Sequence, residues 1–156
     1  MAPDAYMARA IEMAVENART GGGGPFAALV VKGDAVIASG VNRVTSANDP
    51  TAHAEIVAIR AACQALASFQ LTGCDIYASS EPCPMCLGAI YWAHLSRVYF
   101  ASGAADASRV GFDDSLIYRE IAEPYSRRRI PMIQQMREEA LAAFHAWQDK
   151  PNKITY

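Results

Sequence analysis

Apolar and polar positions along the chain repeat with two periods, one near 3.6 residues and one near 2, and together they predict alternating helices and strands. Residues 4–19 set Ala5, Ala8, Ile11, Met13 and Val15 among charges at helix-like spacing, and Gly21 to Gly24 stop that helix. The glycine run reads as a turn, because it lacks the Lys-Ser/Thr of a phosphate-binding loop and leads into a strand pattern. Phe26 to Val31 and Ala35 to Val41 are apolar runs joined by Lys32-Gly33-Asp34, the pattern of a β-hairpin. A polar loop follows from Asn42 to Asp49. Asp49 is placed to cap, and Pro50 to open, a second helix near Thr51 whose Ile56, Ile59, Cys63 and Leu66 share one face. Gly73 ends it. Ile76-Tyr77-Ala78-Ser79 predicts a short buried strand running to Glu81-Pro82, a third helix spans Pro84 to about His94, and Arg97 to Ala101 predicts another strand. Helical material within Asp106 to Ile121, a last strand over Ile130 to Gln135, a helix over Arg137 to Gln148 and an irregular tail, 149–156, complete the chain.

Strands alternating with helices predict an α/β fold, a three-layer α/β/α sandwich around a central mixed sheet of about five strands. The chain of 156 residues, 52% of them hydrophobic, suits one domain spanning 1–156. A formal net charge of −2 offers no general basic field for a phosphate backbone. Arg127-Arg128-Arg129 reads as a solvated turn, so no nucleic-acid partner is expected. No apolar run approaches the roughly 18–20 residues that span a bilayer, so no membrane partner is expected either, and the chain reads as soluble and unexported. Four cysteines, two of them in Cys83-Pro84-Met85-Cys86, suit metal ligation in a reducing, cytoplasmic compartment better than a disulfide framework.

Two short segments carry the chemistry, His53-Ala54-Glu55 and Pro82-Cys83-Pro84-Met85-Cys86, each at a predicted handover from strand or loop to helix. His53, Cys83 and Cys86 form a donor set suited to Zn²⁺, one ion per chain, with a fourth position open to water. Cys63 lies on the apolar stripe of its helix, and Cys63 and Cys74 read as buried core thiols. His94 and His145 lack a ligand partner at ligand spacing and read as ordinary structural residues. Two thiolates offset the formal charge of zinc, so a base beside the water helps. Glu55, two residues after a ligand, can take a proton and return it to substrate. The pattern His-x-Glu followed by Pro-Cys-x-x-Cys is the general signature of zinc deaminases. A zinc-stabilised binding module without catalysis is the alternative from another class; it would need a fourth protein ligand and has no use for Glu55.

The chain resembles the guanine deaminase branch of the cytidine-deaminase-like superfamily. The resemblance rests on Gly24-Pro25-Phe26, Asn48 to Glu55 (NDPTAHAE), Glu81 to Trp92 (EPCPMCLGAIYW) and Gly111-Phe112-Asp113-Asp114, and it reaches Tyr156. Ala27 stands where a glycine is expected after Phe26. The EPCxMCxGAI core also occurs in tRNA adenosine deaminases, so Trp92, the Phe-Asp-Asp segment and the tail decide the substrate. The resemblance implies a cytidine-deaminase-like fold, a homodimer and a small purine base as substrate. It also implies that Asn42 and Asp114 hold the purine while Phe26 and Trp92 bound it. The residue types agree: guanine carries acceptors at O6, N3 and N7 and donors at N1 and N9, which an amide and a carboxylate match. A strand-end turn role for Asn42 and a helix-cap role for Asp114 remain the alternatives, and Phe112 reads as core. The backbone N–H of Ala54 is a further candidate partner for the base. In the implied reaction Glu55 moves a proton from the attacking water to N3, C2 of guanine is attacked, and ammonia leaves to give xanthine, with Asp114 shuttling the second proton. Guanosine, cytosine and tRNA adenosine are the sibling substrates. The tail is expected to close an active site with Tyr156, exchanged between subunits.

Overall fold

A computed structural model describes residues 3–156, which form two compact units, one running up to Asp114 and the other Ser115–Tyr156. The first unit contains α1 (Pro3–Thr20), β1 (Ala27–Lys32), β2 (Ala35–Val41), a short α2 (Val44–Ala47), α3 (Ala54–Ala65), β3 (Cys74–Ser80), α4 (Pro84–Trp92), β4 (Arg97–Ser102) and α5 (Ala104–Arg109). The strands form one mixed sheet in the order β2-β1-β3-β4, with β1 antiparallel to both β2 and β3, and β3 parallel to β4. The parallel step is the one bridged by a helix, α4, as a parallel crossover requires.

Side chains alternate across the sheet, so each strand serves two cores. On one face Leu29, Val31 and Tyr77 pack with Tyr6 and Ala10 of α1. On the other, Ala28, Val30 and Ile76 pack with Ala54, Ala58, Ile59 and Ala62 of α3 and Ile90 of α4. Helices thus cover both faces, and full burial of a Leu or Ile is worth about 1.5–3 kcal/mol. Small residues dominate the buried face of α3, which lets its first turn lie close to the sheet. Cys74 is fully buried and Cys63 packs partly against the same core, as expected of apolar thiols.

Two local expectations shift. Helix α3 starts at Ala54, with His53 as its extended N-cap residue, and not near Thr51. Asp49 caps a turn and no helix: its Oδ1 accepts from the N–H of Thr51 at 2.8 Å and from its hydroxyl at 2.7 Å. An Asx turn of this kind competes with helix formation over the same residues.

The second unit holds α6 (Ser115–Ala122), a 3₁₀ turn (Tyr125–Arg127) and α7 (Arg137–Asp149). Residues 130–135, read above as the last strand, form none, and the sheet has four strands among the described residues, not about five. Pro131 removes a ladder donor, and Ile130, Met132 and Ile133 lie exposed. The chain leading in is held by local bonds, from Arg128 to the carbonyls of Glu123 and Ile121 and from the Arg129 N–H to Glu120. No residue of this unit is buried. Among all described residues, no helix is long and apolar enough to cross a membrane.

Candidate active site

His53 and Cys83 occupy equivalent positions, the extended N-cap residues that open α3 and α4. Pro84 fits the first position of α4, where the missing N–H costs nothing. Cys86, one turn in, comes back to the same place. The Sγ atoms of Cys83 and Cys86 each lie 3.5 Å from His53 Nδ1, and the three ligand atoms fall within 4.8 Å of one another.

These distances test the site for zinc. Tetrahedral angles with Zn–S near 2.3 Å and Zn–N near 2.0–2.1 Å require an N···S separation of about 3.6 Å. The observed 3.5 Å fits without rearrangement. The protonation pattern agrees. The Cys83 thiol is drawn down to about 4, first by the hydrogen bond from Cys86 and then by His53 and the Cys86 backbone N–H, against a burial that works the other way. Cys86 is pushed up by the same bond and by its own burial. A divalent cation at this point would hold both sulfurs as thiolates. Cys63 and Cys74 stand apart from this cluster, which contains three protein ligands. That count is the signature of an open, catalytic metal site and not of a closed structural one.

Glu55 sits in the first turn of α3, only 8% exposed. Burial, above all, holds its carboxyl above the usual carboxylate range, and the Cys83 sulfur adds to this. A glutamate that merely offset a helix dipole would face solvent. The N–H groups of Ala54 and Glu55 are among the donors that the start of α3 leaves without helical partners.

The other residues singled out from the sequence take more varied positions. Asn42 is buried, with its Oδ1 accepting from the N–H groups of Gly24 at 3.1 Å and Val44 at 3.2 Å. The sequence reading asks this amide to serve the base as both donor and acceptor. Its acceptor is already committed, which leaves the two Nδ2 hydrogens. Phe26 closes the turn Gly24-Pro25-Phe26 ahead of β1 and meets Phe112 edge to face, at 4.9 Å between ring centroids. Phe112, read from the sequence as core, is half exposed and builds this aromatic wall with Phe26. Nothing in its local pattern marks it, since its partner lies far away in sequence. Asp114 is partly exposed; burial and then the like charges of Cys83, Asp113 and Glu81 raise its carboxyl. Trp92 ends α4, about 9 Å of helix rise beyond Cys86, and is 64% exposed. Tyr156 belongs to the second unit and is 72% exposed.

Three soft or borderline ligands with an open fourth position and a buried carboxylate, held at two helix starts of an α/β sheet, define a zinc-dependent hydrolytic deaminase. Comparison with known proteins agrees. The cytidine and deoxycytidylate deaminase zinc-binding region matches residues 2–102, and the chain belongs to that family. It is 50% identical to guanine deaminase of Bacillus subtilis over 98% of both chains. The crystal structure of guanine deaminase from Bacillus subtilis superposes with a TM-score of 0.97, covering 100% of this chain and 99% of that one at 50% identity. A tRNA-specific adenosine deaminase of Agrobacterium fabrum is 44% identical over 62% of this chain and 64% of its own.

Proposed function

We propose that the protein hydrolyses guanine to xanthine and ammonia. The observation that carries the deaminase reading is the buried Glu55 carboxyl beside three ligands that leave a metal position open. Similarity to a guanine deaminase along the whole chain, against a partial match to tRNA adenosine deaminases, supports guanine as the substrate. Zinc, held by His53, Cys83 and Cys86, supplies an acidified water as nucleophile when bound. Glu55 accepts the proton of that water and delivers it to N3 as C2 becomes tetrahedral. The proton of the new C2 hydroxyl is then passed to the 2-amino group, the C2–N bond breaks as the C2 carbonyl forms, and ammonia leaves. Asp114 assists that transfer and accepts from a ring N–H, Asn42 donates from Nδ2 to a ring acceptor, the Ala54 N–H bonds the polar edge of the base, and Phe26 and Trp92 bound its faces.

A carboxylate that accepts from N9–H would meet a ribose in guanosine, so the free base is the preferred substrate. Asp114→Ala is expected to lower kcat/KM for guanine by about 10–100-fold, the usual cost of losing a hydrogen bond to a charged group. Ammonia release on guanine and guanosine checks both statements. Faster turnover of guanosine by the unaltered enzyme would overturn the free-base reading.

The same proposal treats residues 1–156 as one deaminase domain that works as a homodimer in the cytoplasm, without nucleic-acid or membrane partners. Four free cysteines suit a reducing compartment. The second unit leaves Ile133, Met136, Phe144 and Trp147 exposed, an apolar surface that a second copy would cover. An exchanged tail, residues 149–156, would bring the Tyr156 phenol to ring acceptors or N–H groups of the base. Deleting the last few residues should cut kcat/KM for guanine by about tenfold or more while zinc content holds, as expected for a lost hydrogen-bonding closure. A truncated enzyme equal to the full-length one would show the tail to be a frayed end.

A further inference from the structure

The glycine run before β1 does more than end α1. Asn17, in the last turn of α1, is 7% exposed and donates both Nδ2 hydrogens, one to the Gly24 carbonyl at 2.8 Å and one to the Asn42 carbonyl at 3.0 Å. The same Gly24 carbonyl accepts from the Phe26 N–H at 2.8 Å, and the Asn42 N–H donates to the Phe26 carbonyl at 3.0 Å. Asn42 is therefore gripped at three places: its carbonyl by Asn17, its N–H by Phe26, and its side-chain oxygen by Gly24 and Val44. An amide oxygen that accepts two backbone N–H groups has its orientation decided by them, and the Nδ2 hydrogens must point the other way.

This arrangement needs a backbone that comes very close. A Cβ on Gly23 would overlap the Asn42 carbonyl oxygen and lie 2.8 Å from its carbon and 2.9 Å from Oδ1. A Cβ on Gly22 would lie 2.5 Å from Asn17 Oδ1. Each neighbour is held by hydrogen bonds of its own, so a Cβ at either glycine would have to push a buried, bonded amide out of place.

We infer that Asn17 is a positioning residue for base recognition, which, with Gly22 to Gly24 as a close-fitting cradle, sets the direction in which Asn42 presents its amide hydrogens to the purine. The inference rests on the reading above in which Asn42 holds the base. Asn17 touches no substrate; it acts through Asn42.

The experiment uses the full-length zinc enzyme and reads KM and kcat for guanine together with zinc content. Asn17→Ala should raise KM about tenfold and change kcat less than about threefold, with zinc retained, as for one misdirected hydrogen bond. Gly23→Ala should do the same from the other side of the contact, and it carries the test if Asn17→Ala does not fold. Asn17→Asp, which sets an oxygen against two carbonyl oxygens, should raise KM at least as much as alanine. In an Asn42→Ala background, Asn17→Ala should add less than about twofold to KM, because the path through the amide is already gone. A KM that is unmoved in both Asn17→Ala and Gly23→Ala, or a full additive effect in the Asn42→Ala background, would overturn the inference. An unmoved KM in Asn42→Ala alone would instead overturn the assignment of Asn42 to the base.

Discussion

Glu55→Gln is expected to lower kcat for guanine by about 10²–10⁴-fold, the usual contribution of a general acid/base group, with zinc still bound at one per chain. Glutamine keeps the length and shape of the side chain and has no carboxylate to take a proton. The carboxyl lies in the first turn of α3, beside His53 and Cys86, only 8% exposed, and burial already raises its affinity for a proton. Those are the properties of a group that must both accept and return one. A first-turn glutamate that served only to offset the helix dipole would contribute about 0.3–1 kcal/mol of stability and nothing to kcat. Steady-state ammonia release with metal analysis on the same sample separates the two roles. A loss below tenfold would remove Glu55 from the mechanism.

Cys83→Ala should lose metal and activity together. Changes in groups that only support a metal ligand already cost about 10–100-fold in affinity, so removal of one of three ligands should cost more than about 100-fold. The remaining pair, His53 and Cys86, cannot complete a tetrahedral set, and neither Cys63 nor Cys74 belongs to the ligand cluster. Cys63→Ala is the control: that thiol packs against the apolar core, so zinc and turnover should persist. Metal analysis after dialysis reads the result. A Cys83→Ala enzyme with full zinc and normal turnover would refute the ligand assignment, and with it the deaminase chemistry.

The ligand set and its carboxylate were legible because they are local. His53 and Glu55 are two residues apart and Cys83 and Cys86 three, and each pair needs only a helix start to present it. The hairpin was legible for the same reason: Lys32-Gly33-Asp34 between two apolar runs predicts it, and β1 and β2 pair as Ala28↔Gly40 and Lys32↔Ala35. A period of 2 or 3.6 is a property of neighbouring residues, and so is a ligand spacing.

What needed the tertiary structure depends on partners distant in sequence. Residues 130–135 have the composition of a strand, but a strand exists only where another supplies the ladder, and among the described residues none pairs with them. Asp49 has the chemistry of a helix cap and spends it on Thr51, because α3 enters at His53. Phe112 looks apolar and core-like until Phe26 is placed against it. Asn42 was identifiable as an amide near a strand end, yet which of its atoms is free is decided by Gly24, 18 residues away, and its carbonyl is held by Asn17, 25 residues away. Composition and spacing determine which groups the chain carries and where helices begin. The direction a buried amide faces is determined by the backbone N–H groups that the fold brings to its oxygen.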